Sequence, residues 1–300
     1  MSVLVLVLAA RAFAGETAAD VCASGEAKAK SGDFESALAD FNHAIELDPQ
    51  NSLAYGNRAN VKGMKGDFAG ALADYSRAIE LDPRNTRAYG NRANVERIKG
   101  DLAGAIADYS HAIELEPKNT AAYVNRGSTI QATGNLAGAM NDYEQAIAID
   151  PQCASAYCSR ATIKLMVNNI DSAIADYDLA IKLDSTMPVS YFGRASARGH
   201  KGDFEGAIAD YTRFLEFQPK NSDAYNNRGL ARSEKGDFDG ALADYNHGIE
   251  ISPGDPDIWE NRAKVKKARG DVKGAADDQA HADTLKQGAP PVSAPIIISK

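Results

Sequence analysis

Cysteine is scarce in this chain. There are three, Cys22, Cys153 and Cys158. An odd number at wide spacing builds no disulfide framework. A Cys153–Cys158 bridge stays open, against the alternative of two small packed thiols. No Cys-x-x-Cys or Cys/His spacing suits zinc. Basic residues are also in deficit, with 33 Lys and Arg against 41 Asp and Glu and a net charge of −8. Phosphate backbones and anionic membrane surfaces both call for a basic face, so neither nucleic acid nor a lipid surface is expected as a partner. Long apolar runs are missing too. Val3 to Ala10 (VLVLVLAA) is too short to cross a bilayer. Followed by Ala12-Phe13-Ala14, it resembles a secretory signal peptide spanning 1–14, although the usual basic residues before it are absent. That predicts a periplasmic or secreted protein, with a cytoplasmic one as the alternative.

What the chain does have is repetition. YGNRANV occurs at Tyr55–Val61 and again at Tyr89–Val95, 34 residues later. Pro49, Pro83, Pro117 and Pro151 keep the same step. Ser185 takes the next place, and Pro219 and Pro253 resume. The phase divides 18–287 into eight units: 18–51, 52–85, 86–119, 120–153, 154–187, 188–221, 222–255 and 256–287. In the second unit Tyr55, Ala59 and Val61 form one helical stripe, and Phe68, Ala71, Leu72, Tyr75, Ala78 and Ile79 another. Gly66-Asp67 lies between them. Glycine can end the first helix in the left-handed region and Asp can cap the second. The pair recurs along the chain, as Gly134-Asn135 in the fourth unit and Asn168-Asn169 in the fifth. Each unit is thus expected to be two antiparallel helices.

At these residues the chain resembles the tetratricopeptide repeat (TPR) family. Tyr55, Ala59, Ala71, Tyr75, Ala78 and Pro83 fall on its pattern. The resemblance covers about 18–287 and implies an all-α fold, an α-α superhelical solenoid of stacked TPR helix pairs over 15–287. It further implies a non-enzymatic scaffold that binds a protein or peptide in its concave groove. A structural module acting through its convex face or by self-association is the alternative. The last unit carries Asp277, Asp278, Gln279, His281 and Asp283 on its second helix, as a water-facing capping repeat should. Residues 288–300 read as a flexible tail, with docking of the apolar triplet Ile296-Ile297-Ile298 in a groove or on an edge as the alternative.

No catalytic constellation is apparent. His43, His111, His247 and His281 share one place in the second helices of their units, too far apart to hold one metal, and are expected to be solvated. No cofactor is expected. Two sets of charges recur. Arg58, Arg92, Arg126, Arg160, Arg194, Arg228 and Arg262 occupy one place in the first helices. Asp40, Asp74, Asp108, Asp142, Asp176, Asp210, Asp244 and Asp278 occupy one place in the second. Charges beside an apolar stripe need partners, and a guanidinium fits a carboxylate bidentately. Two registers are possible. Pairing Arg58 with Asp74 strands Asp40, because the first unit has Ser24 at the Arg place. Pairing Arg58 back to Asp40 leaves only Asp278, on the polar last helix. The second register leaves the cheaper orphan and is the expected one.

On the groove face Asn57, Asn91, Asn125, Asn227 and Asn261 share one place, with Asn60 and Asn94 a turn further on. An amide can both donate to and accept from a peptide group. At roughly 8–10 Å between neighbouring helices, one Asn meets about every third residue of an extended chain. This is similar to the asparagine ladder in the TPR region of the eukaryotic glycosyltransferase that attaches N-acetylglucosamine to Ser and Thr. Asparagines that merely keep the face polar are the alternative. The row breaks at Ser159 and Gly193, where Phe192 joins the candidate peptide-binding residues. A chaperone-binding carboxylate clamp is disfavoured. Its first lysine place holds Gly56, Gly90 or Val124, and its later one Arg87, Ala121 or Ser155.

Overall fold

A computed structural model describes residues 16–288. The suspected signal segment and nearly all of the tail lie outside the described residues. Among those described, the chain is all-α, an α-α solenoid of helix pairs with sixteen helices and no strand. The sequence reads as one continuous array. The helices group into two compact units that divide between Pro151 and Gln152.

The first unit holds α1 (Ala18–Lys30), α2 (Phe34–Leu47), α3 (Ser52–Met64), α4 (Phe68–Leu81), α5 (Thr86–Ile98), α6 (Leu102–Leu115), α7 (Thr120–Ala132) and α8 (Leu136–Ile149). The second holds α9 (Ala154–Met166), α10 (Ile170–Leu183), α11 (Pro188–Lys201), α12 (Phe204–Phe217), α13 (Ser222–Glu234), α14 (Phe238–Ile251), α15 (Pro256–Ala268) and α16 (Val272–Gly288). Odd helices are the first of each pair and even helices the second.

The turn inside each pair follows from two residues. Gly66 takes φ +83°, a region closed to most side chains, and the Asp67 carboxylate accepts from the Gly70 amide at 2.9 Å. Asn168 stands in for glycine at φ +60°, but Asn169 beside it makes no capping hydrogen bond. Four of the turns between pairs use asparagine. Asn51 and Asn85 cap α3 and α5 by accepting from Ala54 and Ala88, each at 3.0 Å.

Small residues let the helices approach closely, and in every pair but the last, one aromatic of the second helix fills the space that remains. Ala59, Ala71 and Ala78 surround Tyr75; Ala161, Ala173 and Ala180 surround Tyr177. Phe41, Tyr109, Tyr143, Tyr177 and Tyr245 are fully buried. In the last pair Asp277, Gln279, His281 and Asp283 are exposed as expected of a cap. Asp278 is not: it is only 3% exposed.

Candidate binding groove

The arginines pair in the register the sequence argument rejected. Each grips the Asp of its own pair, sixteen residues on. Nε and Nη2 donate to the two carboxylate oxygens at 2.6–3.0 Å in all seven pairs, from Arg58–Asp74 to Arg262–Asp278. The orphan argument failed at both ends of the array. Asp40 is not stranded, because Lys28 on α1 sits 2.6 Å from it. Asp278 is not solvated, because it is buried against Arg262 and Lys266.

A stitch between pairs does exist, through a different atom. Arg58 Nη1 donates to Asn42 at 2.7 Å, Arg92 to Ser76 and Arg126 to Ser110 at 3.0 Å. In the second unit Arg194 reaches Asp178 at 2.6 Å and Arg262 reaches Asn246 at 2.7 Å. These acceptors lie two residues beyond the preceding Asp. Each guanidinium also lies 4.7–5.8 Å from the ring of the aromatic three residues before it, Tyr55 to Trp259.

A second cation, one turn after the Arg, was not read from the sequence. Lys62, Lys164, Arg198, Arg232 and Lys266 lie 2.6–2.8 Å from the same Asp. The signal was available as the step of four on a helix face. The third pair inverts it with Glu96, whose Oε2 is buried without a hydrogen-bond partner. Burial and the neighbouring Asp108 charge push its carboxyl up to about 7, against the pull of Arg92.

The groove face of the first unit carries a polar relay. Asn57 on α3 donates to Glu26 of α1 at 2.7 Å. Asn91 on α5 donates to Asn60 Oδ1 on α3 at 2.9 Å. The Tyr75 hydroxyl donates to the same Oδ1 at 2.6 Å, and Tyr109 does likewise to Asn94. Burial pushes the Tyr75 hydroxyl up to about 12, so it stays a donor. Asn57, Asn60 and Asn91 border one cavity of about 570 Å³, with Tyr75 behind them and Arg84 and Arg87 at its edge. Neither arginine has an ion-pair partner among the described residues. The Nδ2 of Asn60 and the Oδ1 of Asn91 remain without hydrogen-bond partners among the described residues.

The other predicted groove residues lie apart from this cavity. Asn125 on α7 does not border it. Asn227 on α13 borders a second cavity of about 370 Å³ in the second unit, which Tyr211 also lines. Asn261 donates to Asn226 and accepts from Lys264. Phe192 is half-buried, edge-on to Tyr211 and Phe214 with centroids 5.4 and 5.0 Å away. The break at Gly193 has a steric cause. A Cβ there would sit 2.3 Å from Tyr177 Cζ and 2.4 Å from its hydroxyl.

The repeated histidines remain partly exposed but are not isolated. His111 lies 4.4 Å from the Tyr89 ring and His281 4.2 Å from Trp259. All three cysteines are unbridged, and burial raises the Cys22 and Cys158 thiols.

The chain resembles solved structures over most of its length. A tetratricopeptide repeat protein from Parabacteroides merdae is 21% identical, covers 79% of this chain and 93% of its own, and superposes with a TM-score of 0.59. Pseudomonas aeruginosa pilF is 18% identical over 72% of this chain and 97% of its own, at 0.63. YrrB, described as a TPR protein with an unusual peptide-binding site, is 22% identical over 60% and 92%, at 0.50. At these identities the likeness concerns the fold. No curated protein matches the chain. Tetratricopeptide repeat family models match residues 22–51, 52–85, 120–153 and 192–256, and a TPR repeat model matches 93–134. Together these matches take in more than half the chain, and with the 34-residue helix pairs they place the protein in the tetratricopeptide repeat family.

Proposed function

We propose that the protein is a non-enzymatic scaffold that holds an extended peptide along the groove face of its first unit. Repeats of this family build protein-interaction scaffolds in general. The observation that carries the reading is the cavity bordered by Asn57, Asn60 and Asn91. One amide end at Asn60 and one at Asn91 are unengaged, a donor and an acceptor a few ångströms apart. That is the pair of groups a peptide unit presents in reverse. The amide ends that are engaged hold the side chains in place, so little further ordering is needed on binding. A peptide-binding site is also what YrrB is described as having.

The test is selection of peptides on the full chain, followed by affinity measurement. Asn91→Ala should weaken the selected peptide about tenfold, the order of one or two hydrogen bonds. Arg77→Glu, on the exposed face of α4, should leave it unchanged. The reverse result would move the function to the outer face. We further propose that the protein is exported, on the apolar run and Ala12-Phe13-Ala14. Intact-mass analysis of the native protein should then find Gly15 as the first residue, and a retained Met1 would rule export out.

A further inference from the structure

The second unit has a cavity of a different character. It lies between α11, α12 and α13 and encloses about 370 Å³, a volume in the range of ligand sites. Phe204, Leu230 and Ala231 give it apolar walls. Gly199 keeps it open, since a Cβ there would meet nothing within 4 Å. Leu230 occupies the place that holds Asn60, Asn94, Ser128 and Thr162 in the second to fifth pairs. Each of those hydrogen-bonds the core tyrosine of its own pair. In the seventh pair that polar post is replaced by an aliphatic side chain, and Leu230 is 38% exposed where it lines the cavity.

Glu234 stands one turn beyond Leu230 on α13. Among the described residues that line the cavity it is the one Asp, Glu, Lys or Arg, and it has no ion-pair partner among the described residues. The neighbouring cations are engaged elsewhere. Lys235 pairs with Glu205 and Lys201 with Asp171. Arg198 and Arg232 pair with Asp210 and Asp244. His200 Nδ1 faces the Ser196 carbonyl at 2.8 Å. An exposed apolar side chain beside an unpaired carboxylate calls for an aliphatic stem with a cationic head, which is the chemistry of a lysine side chain.

The same face of α13 supplies a place for the backbone of such a residue. Asn227 also lines the cavity, and an amide can both donate to and accept from a peptide unit. From Asn227 to Glu234 is two turns of α13, about 10.5 Å along the helix axis. The five bonds from a lysine Cα to its Nζ, each about 1.5 Å, span about 6 Å when extended. A hydrogen bond of about 2.9 Å at either end completes the distance. We propose that this cavity receives a lysine of a partner polypeptide, with its stem against Leu230 and Phe204, its ammonium on Glu234 and its backbone on Asn227. The excess of acidic over basic residues in the whole chain, 41 against 33, favours the same kind of partner. The asparagine cavity of the first unit plays no part in this site.

The experiment is an amide-shift titration of the 15N-labelled full chain with acetyl-Ala-Ala-Xaa-Ala-Ala-amide, in which Xaa is Lys or norleucine. The Lys peptide should shift the amides of Leu230, Ala231 and Glu234. It should bind about fivefold tighter than the norleucine peptide, which keeps the stem and lacks the charge, the order of one exposed ion pair. Glu234→Gln, at an exposed position, should remove that advantage and leave the norleucine peptide unchanged. Gly199→Met fills the cavity from a helical position with room for the side chain, and should weaken both peptides. n-Pentylammonium, which has stem and head but no backbone, should bind about tenfold weaker than the Lys peptide, the order of one or two hydrogen bonds. Equal affinity for the Lys and norleucine peptides would overturn the proposal, as would a Lys peptide indifferent to Glu234→Gln. n-Pentylammonium bound as tightly as the Lys peptide would assign the cavity to a free amine and overturn it too. So would shifts confined to the first unit, or no shifts at all.

Discussion

Arg126 holds Asp142 by two hydrogen bonds, Nε at 2.9 Å and Nη2 at 2.7 Å, and no second cation among the described residues reaches this carboxylate. Ile130 occupies the place where other pairs set a Lys or Arg. Asp142 is 1% exposed. Removing Arg126 therefore strands a buried charge. Arg126→Leu should destabilise by about 3–5 kcal/mol. Arg160→Leu should cost less, because Lys164 stays 2.6 Å from Asp176. Adding Asp142→Leu to Arg126→Leu should recover much of the loss, while adding Asp108→Leu should not. Urea unfolding of the four variants checks this. Coupling of Arg126 to Asp108 in a double-mutant cycle would contradict the observed register.

Glu96 makes stability depend on pH. Its carboxyl titrates near 7 when folded and near its ordinary 4.5 when unfolded. Between those values the folded chain holds a proton that the unfolded chain has released. Stability should therefore be full below about pH 4.5 and fall as pH rises through 7. The loss is about 1–3 kcal/mol, allowing for the solvent that reaches the group. Measured against the native chain at each pH, Glu96→Gln should be stabilising at pH 8 and near neutral at pH 5. Glu96→Lys should stabilise further, by giving Asp108 the second cation that Lys62 gives Asp74. An unchanged slope between pH 5 and 8 in Glu96→Gln would assign the dependence elsewhere.

The repeat was legible because 34-residue periodicity needs no partner to be seen. Gly66-Asp67 and Pro83 each act locally, so sequence alone located the turns. The ion-pair register was not legible, since both registers use the same residues. Choosing between them required knowing that Lys28 reaches Asp40 and that Asp278 is buried. Both facts depend on how neighbouring helices rotate about their axes. The asparagine row follows from the repeat phase as a set of equivalent places. What sequence could not give is which amide ends are engaged. Asn91 donates to Asn60 because α3 and α5 are adjacent, and Gly193 lies under Tyr177 because α10 and α11 are.

Asn94 tests whether the relay is structural as well as recognitive. Its Oδ1 accepts from the buried Tyr109 hydroxyl at 2.6 Å. Asn94→Ala should leave that hydroxyl without its acceptor and cost about 1–2 kcal/mol. In a Tyr109→Phe background the same change should be nearly neutral, because no donor remains. Thermal unfolding of the two single variants and the double variant separates the cases. Equal cost in both backgrounds would mean Asn94 contributes through something other than Tyr109.

Gly193 tests why the row of asparagines is interrupted. Restoring the row with Gly193→Asn looks favourable from sequence, since asparagine stands at this place in α3, α5, α7, α13 and α15. The structure argues the opposite. The new Cβ would lie 2.3 Å from Tyr177 Cζ, well inside contact distance, and Tyr177 is held by Ala161, Ala173 and Ala180 around it. The ring also hydrogen-bonds Thr162 at 3.0 Å, which resists its withdrawal. Gly193→Asn should therefore destabilise by about 1–3 kcal/mol, the usual cost of overpacking, despite the better helix propensity of asparagine. In a Tyr177→Ala background, where the ring is gone, the same substitution should cost little or should stabilise. Urea unfolding in both backgrounds decides it. Equal destabilisation with and without the ring would show that glycine is required at 193 for a reason other than Tyr177.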